Sequence, residues 1–125
     1  MTNREMKTRL LVVDDEDDLR DLLTQVLTKT GYEIKTASDG EEAIRILKTN
    51  EFDVALLDIQ MPKVTGLQVL KHINQHAPHT KAIMLTGYAD LKNAMEAREF
   101  GARDFISKPY RLDDVLSTIE RVLKE

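Results

Sequence analysis

Short apolar runs alternate with longer amphipathic segments along this chain, and the alternation restricts its fold more than any other feature. The short runs cover residues 10–13, 34–37, 54–57, 82–85 and 105–106. Between them the apolar residues recur with a period near 3.6, which is typical of helices with one buried face. Strands that are separated by helices form right-handed crossovers in a mostly parallel sheet. The sequence therefore predicts an α/β fold in which strand and helix alternate five times.

Capping signals predict where the helices begin and end. Gly31 follows Lys29 and Thr30, a combination that favours the end of the first helix. Ser38 and Asp39 are candidate caps for the second helix. The first helix is expected to bury a stripe of aliphatic residues, and the short fourth helix is marked by a weaker pattern. These sets are Leu19, Leu22, Leu23, Val26 and Leu27 for the first, and Leu91, Ala94, Met95 and Arg98 for the fourth.

Bulk composition excludes several functional classes. A chain of 125 residues is long enough for one domain with its own core. The net charge of -4 argues against direct binding to nucleic acid, which requires a basic surface. The chain contains no cysteine and therefore has no disulfide or thiolate metal site. Because neither a signal peptide nor a long apolar stretch is apparent, we expect a cytoplasmic protein without membrane insertion.

Polar residues follow the predicted strands at the points where the strands end. In an open α/β sheet, ligands bind at the carboxyl ends of the strands. Three carboxylates that converge there require a cation, and one of them can act as a nucleophile. The residues at these ends are Asp14 and Asp15 after the first strand, Asp58 after the third, Thr86 after the fourth, and Lys108 with Pro109 after the fifth.

At these strand ends, and in the residues around them, the chain resembles the receiver domain of bacterial response regulators. Each motif is weak alone, but together, in order and each at a strand end, they are specific. The resemblance implies a flavodoxin-like (βα)5 fold with strand order 2-1-3-4-5 and helices on both faces. It also implies that residues 1–125 form a single receiver domain without an output domain. The matching segments are Val12-Val13-Asp14-Asp15-Glu16, Leu57-Asp58-Ile59-Gln60-Met61-Pro62 with Gly66, Leu85-Thr86-Gly87, and Lys108-Pro109.

The resemblance implies a role for each residue at the strand ends. Asp58 would accept a phosphoryl group from a sensor histidine kinase or a histidine phosphotransfer protein. Lys108 would pair with Asp58 and then with the phosphoryl oxygens, to which Thr86 would donate its hydroxyl. The domain would thus catalyse only its own phosphorylation and dephosphorylation. The ligands implied for Mg²⁺ (or Mn²⁺) are Asp14, Asp15, Asp58 and the backbone carbonyl of Gln60.

The family resemblance also implies a conformational switch. Movement of Thr86 towards the phosphoryl group would let the aromatic residue at position 105 turn inward, and Pro109 would follow a cis bond. Because Phe105 has no hydroxyl, we expect its ring to be buried, or mostly inward, even without phosphate. The changed face would comprise helix 4, strand 5 and helix 5, and would act on an output domain or form a homodimer. Thr118 stands where related dimers usually carry an arginine.

Several alternative interpretations stay open at this point. A phosphohydrolase with an aspartyl nucleophile commonly has a second acid two residues later, where this chain has Gln60. A degenerate receiver would bind partners without phosphorylation. Glu16, Asp17 and Asp18 are expected to be a solvated acidic helix start. Gln60 and Tyr88 are expected to flank the route of water to the acyl phosphate. The histidines His72, His76 and His79 are interpreted as surface residues rather than metal ligands.

Overall fold

The structure, a computed structural model, describes residues 7–87 and 91–125 of the chain. Strands and helices alternate throughout these residues, as the sequence predicts. The elements are β1 (Arg9–Val13), α1 (Asp17–Thr30), β2 (Glu33–Ala37), α2 (Gly40–Thr49), β3 (Val54–Asp58), α3 (Gly66–His76), β4 (Lys81–Thr86), α4 (Leu91–Glu99), β5 (Asp104–Ser107) and α5 (Leu112–Leu123).

The five strands form one parallel sheet in the order β2-β1-β3-β4-β5. The predicted doubly wound fold is therefore confirmed. The register aligns the strand ends, because Val13 of β1 pairs with Leu57 of β3. The residues that follow this pair, Asp14 and Asp58, must consequently leave the sheet side by side.

Alternate side chains of the central strands enter two separate cores. Leu11 and Leu57 belong to a cluster that includes buried residues of α2, α3 and α4. Val12 and Leu56 belong to a second cluster with buried residues of α1 and α5. Burial on both faces explains why β1 and β3 read as uninterrupted apolar runs rather than alternating ones. Packing on both faces also holds the central strands in place, and with them the residues at their carboxyl ends.

The predicted helix stripes are partly wrong. On α1, Leu23 and Leu27 are buried but Leu22 is exposed, because successive helical residues point about 100° apart and only one stripe faces the sheet. On α4, Met95 is 63% exposed, whereas Ala97 is buried. The small Ala97, which the sequence pattern did not single out, is therefore an α4 residue that faces the protein core.

Two of the predicted helix boundaries are confirmed. Asp39 caps α2 by accepting a 2.8 Å hydrogen bond from the backbone N–H of Glu42. Gly31 ends α1 with a left-handed conformation at φ 110°. The structure adds a capping box at α3, formed by Thr65 and Gln68. Within the described residues, none of the helices has the length and apolarity needed to cross a membrane.

Candidate functional site

Three carboxylates converge at the carboxyl edge of the sheet. Oxygen atoms of Asp14, Asp15 and Asp58 lie within 4.8 Å of one another. Asp14 and Asp58 are buried, whereas Asp15 is exposed. Backbone donors orient the two buried groups: the Glu16 N–H donates to Asp14 Oδ1 at 2.9 Å, and the Gln60 N–H donates to Asp58 Oδ1 at 3.2 Å. The sequence prediction that these acids lie together is confirmed.

Lys108 provides the positive charge of the cluster. Its Nζ donates to Asp14 Oδ2 at 3.0 Å, to Asp58 Oδ2 at 3.1 Å and to Glu16 Oε1 at 3.3 Å. Burial alone would lower the pKa of Lys108, but the hydrogen bond to Asp14 and the charges of Asp58 and Asp14 raise it above its ordinary value. Lys108 therefore stays protonated and bridges the two buried acids.

The single charge of Lys108 does not balance the three aspartates of the cluster. The pKa of Asp58 is raised to about 6: burial raises it most, the Lys108 charge lowers it in part, and the Asp14 charge raises it. Clustered carboxylate oxygens are hard ligands of the type that Mg²⁺ and Mn²⁺ prefer. The donor set thus fits a divalent cation. The Gln60 backbone lies beside Asp58, and its carbonyl as a further ligand stays a prediction.

Thr86 ends β4 next to the carboxylates. It is buried and pairs in register with Ser107 of β5, while Leu85 pairs with Asp58 of β3. The backbone carbonyl of Thr86 accepts a 2.8 Å hydrogen bond from the Lys108 N–H. This backbone hydrogen bond holds Thr86, whose hydroxyl is the predicted donor, next to Lys108, whose ammonium group contacts the carboxylates.

Phe105 is the second residue of β5, and its side chain is partly buried. Its ring packs against the core that contains β3 residues, and the guanidinium of Arg98 lies 5.7 Å from the ring centroid. The ring is thus mostly inward without phosphate, as expected, with the core on one side and Arg98 over its face. The peptide bond between Lys108 and Pro109 is cis, as the resemblance predicts.

The family model described as the response regulator receiver domain matches residues 10–120. The chain belongs to the response regulator receiver domain family. This receiver domain is 36% identical over 116 residues to the regulatory protein AtoC of Escherichia coli, covering 93% of the chain and 25% of AtoC. It is 34% identical over 119 residues to the alkaline phosphatase synthesis transcriptional regulatory protein PhoP of Bacillus subtilis, covering 95% of the chain and 50% of PhoP.

Solved structures agree with this assignment. The receiver domain resembles a CheY-like receiver domain protein from Methanospirillum hungatei with a TM-score of 0.91 and 34% identity, covering 94% of each chain. It resembles chemotaxis protein CheY4 of Vibrio cholerae with a TM-score of 0.86 and 31% identity, covering 93% of this chain and 98% of CheY4. The chain spans a quarter to half of the length of the two curated regulators.

Other residues named in the sequence predictions lie away from the site or outside the described residues. Tyr88 lies outside the described residues. Thr118 is buried, so its side chain contributes little to an exposed dimer face. His72 and His76 stack with ring centroids 4.7 Å apart, and His79 lies 4.0 Å from Glu51. Within the described residues, the clustered metal-ligand candidates are the three aspartates alone. His76 and His79 are exposed and His72 is partly exposed, as the surface interpretation predicts.

The sequence interpretation missed three residues around the site. Glu16 is exposed, as expected of a solvated helix start, but its carboxylate also contacts Lys108, which was not predicted. Arg20 of α1 donates to the backbone carbonyl of Asp14 at 2.7 Å. Burial and the nearby Asp14 charge raise the pKa of Tyr110 to about 12. The i,i+3 spacing of Asp17 and Arg20 on a helix is the signal that could have indicated their ion pair.

Gly66 has a steric role directly behind Asp58. A Cβ atom at this position would lie 2.0 Å from the Asp58 carbonyl oxygen and 2.9 Å from the Ile59 Cα. The Gly66 N–H also donates to the Ile59 carbonyl at 3.1 Å. The first residue of α3 therefore packs against the backbone that positions the Asp58 carboxylate, and only glycine leaves enough room.

Replacing Gly66 by alanine is expected to lower the free energy of unfolding by about 3 kcal/mol, because the methyl group displaces backbone rather than a flexible side chain. Urea unfolding of the purified variant measures this loss. Gly87→Ala is the matched control, since a Cβ there would meet no atom of the described residues within 4 Å. Equal stability of Gly66→Ala and the parent protein would show that the Asp58 backbone is not held as tightly as described.

Proposed function

We propose that this receiver domain is a phosphorylation-dependent signalling switch that accepts a phosphoryl group on Asp58. The donor is the phosphohistidine of a cytoplasmic sensor histidine kinase or of a histidine phosphotransfer protein. One observation supports this above all: Asp58 lies at the end of β3 with Lys108 at 3.1 Å and two further aspartates beside it. A nucleophile, a fixed cation and a set of metal ligands are thus combined at one strand edge.

The chemistry follows from the arrangement of Asp58. One carboxylate oxygen attacks phosphorus, the phosphorus–nitrogen bond of the donor breaks, and its electron pair stays on the imidazole nitrogen. Lys108 compensates the negative charge that collects on the transferring oxygens. A divalent cation held by Asp14, Asp15, Asp58 and the Gln60 carbonyl would supply further charge neutralisation. With a pKa of about 6, Asp58 is mostly ionised, and therefore nucleophilic, at neutral pH.

Gln60 supports storage of the phosphoryl group rather than rapid turnover. It lies two residues after Asp58, where an aspartyl phosphohydrolase commonly has an acid that moves a proton. A carboxamide neither accepts nor donates a proton near neutral pH. The acyl phosphate is therefore expected to persist until water attacks slowly, and catalysis is limited to the domain's own phosphorylation and dephosphorylation.

Incubation with acetyl phosphate and Mg²⁺ tests the proposed function. The proposal predicts the incorporation of up to one phosphoryl group per chain, dependent on the cation. Continuous release of phosphate at a high rate would instead identify a phosphohydrolase. Absence of any adduct, with a folded protein and a saturating donor, would identify a module that binds partners without phosphorylation.

The proposed output face comprises α4, β5 and α5. Phosphorylation would draw the Thr86 hydroxyl towards Asp58, and Phe105 would move into the vacated space. Thr86 ends β4, Phe105 lies on the neighbouring edge strand β5, and Arg98 of α4 already contacts the Phe105 ring. Relatives of this domain include transcriptional regulatory proteins, so the face would control an output domain or form a homodimer.

Replacing Thr86 by valine is expected to uncouple phosphorylation from the switch. The variant retains the shape of threonine but loses a hydrogen bond to a charged group, a bond of about 1.5–3 kcal/mol, so the active population should fall roughly tenfold or more. NMR chemical shifts of α4 and β5 amides, with and without phosphorylation, measure this. Thr86→Ser retains the hydroxyl and is the control. Full shift changes in Thr86→Val would contradict the role of Thr86.

A further inference from the structure

The loop that carries two of the proposed metal ligands is short. Asp14 and Asp15 lie in the three residues between β1 and α1, and α1 begins at Asp17. The residue that caps α1, Glu16, makes no side-chain capping hydrogen bond. The usual means of fixing the chain at a helix start is therefore missing from the segment whose geometry matters most for a cation.

Arg20 replaces this missing constraint. From the second turn of α1, its Nη1 donates to the backbone carbonyl of Asp14 at 2.7 Å, and its Nη2 pairs with Asp17 Oδ1. The Arg20 side chain is only 16% exposed, although it is charged. The guanidinium thus spans the loop from its first residue to the first residue of the helix.

The carbonyl that Arg20 binds belongs to the peptide unit between Asp14 and Asp15. A peptide unit is planar, so a hydrogen bond that fixes its carbonyl also fixes ψ of Asp14 and φ of Asp15. These two angles determine the direction in which the two carboxylates point relative to each other. Arg20 therefore acts on both side chains without touching either carboxylate.

We propose that Arg20 is a positioning residue for the divalent cation, because it orients the Asp14–Asp15 peptide so that both carboxylates face Asp58. This inference rests on the proposed function, which includes the cation. Groups that orient metal ligands typically contribute about tenfold or more to metal affinity.

Electrostatics alone predicts the opposite sign. Arg20 is a cation near a cation site, so its removal would strengthen metal binding if charge were its only influence. Because Arg20 pairs with Asp17, the positive charge that it presents to the cation is reduced. A positioning role predicts weaker binding on removal of Arg20, and the two explanations are therefore separable by direction.

Mn²⁺ binding to the whole chain, measured by electron paramagnetic resonance of the free ion, tests the proposal. Arg20→Met removes the charge, and Arg20→Lys retains it but cannot bridge the two oxygens as a fork. Both variants are expected to bind Mn²⁺ about tenfold more weakly. Arg45→Met, a change at an exposed arginine of α2, is the charge-matched control and should bind as the parent does.

Three results would contradict the proposal. Tighter binding by Arg20→Met with unchanged binding by Arg20→Lys would show that Arg20 acts through charge alone. Parental affinity in both variants would show that the loop is fixed without Arg20, while the proposed function would stand. A parent chain that binds no Mn²⁺ would instead refute the proposed metal site itself, and the inference with it.

A second pair of variants keeps the test decisive if Arg20→Met does not fold. Asp17 and Asp18 are both exposed residues at the start of α1, but Asp17 alone of the two pairs with Arg20 in the described residues. Asp17→Asn and Asp18→Asn change the charge equally and at neighbouring positions. Asp17→Asn is expected to weaken Mn²⁺ binding roughly two- to threefold more than Asp18→Asn. Equal effects would overturn the positioning role.

Discussion

Replacing Lys108 by methionine should lower the free energy of unfolding of the metal-free protein by about 3 kcal/mol. The Lys108 Nζ contacts Asp14 and Asp58, both buried, and methionine would leave these two carboxylates facing each other without a cation. Removal of one partner from a buried ion pair typically costs about 3–5 kcal/mol, and the partial exposure of Lys108 places the expected loss at the lower end.

Magnesium should restore much of this stability, because the variant offers the cation a more negative site. Binding to the folded state stabilises it by an amount that grows with the ratio of free ligand to Kd. Urea unfolding with and without Mg²⁺ measures both effects, and Lys48→Met at an exposed position of α2 is the control. A Lys108→Met protein of parental stability in the absence of metal would show that the buried acids do not need Lys108.

Replacing Asp58 by asparagine is expected to reduce phosphorylation by more than about a thousandfold, as loss of the nucleophile does in other covalent mechanisms. The carboxamide keeps the shape of the side chain but cannot form the acyl phosphate. Incorporation from acetyl phosphate measures the loss. Asp21→Asn, at an exposed position of α1, is the control and should be phosphorylated as the parent is.

The same Asp58→Asn variant should be more stable than the parent when no metal is present. Burial raises the folded-state pKa of Asp58 from 3.8 to about 6, so the folded protein holds a proton that the unfolded chain has already released. The parent therefore loses stability as the pH rises through this window, and the variant does not. The advantage should be small near pH 4 and about 2 kcal/mol near pH 8. An advantage that shrinks with rising pH would contradict the raised pKa.

The fold and the centre of the site could be predicted from sequence because both depend on strand ends. Apolar runs identified β1 and β3, and once the strand order implied by the family resemblance places them side by side, parallel pairing requires that Asp14 and Asp58 emerge together. Lys108 and Thr86 follow from the same argument for β5 and β4. These predictions need only the order of elements and no detail of side-chain packing.

The residues that escaped prediction depend on side-chain direction. Glu16 and Arg20 lie in an acidic helix start, where a solvated face is the ordinary expectation, and only the path of the loop shows which atoms they reach. Met95 has an apolar side chain on a short helix, yet it is exposed because Ala97 faces the core. Hydrophobicity does not distinguish such neighbours when a helix buries a single narrow stripe.

Mapping the phosphorylated residue by mass spectrometry tests the central claim most directly. Borohydride reduces an aspartyl phosphate to homoserine, which marks the acceptor position permanently in a peptide digest. After treatment with acetyl phosphate and Mg²⁺, we predict homoserine at position 58 and unmodified aspartate at positions 14 and 15. Homoserine at position 14 or 15, or an unmodified residue at position 58 in a phosphorylated sample, would contradict the account.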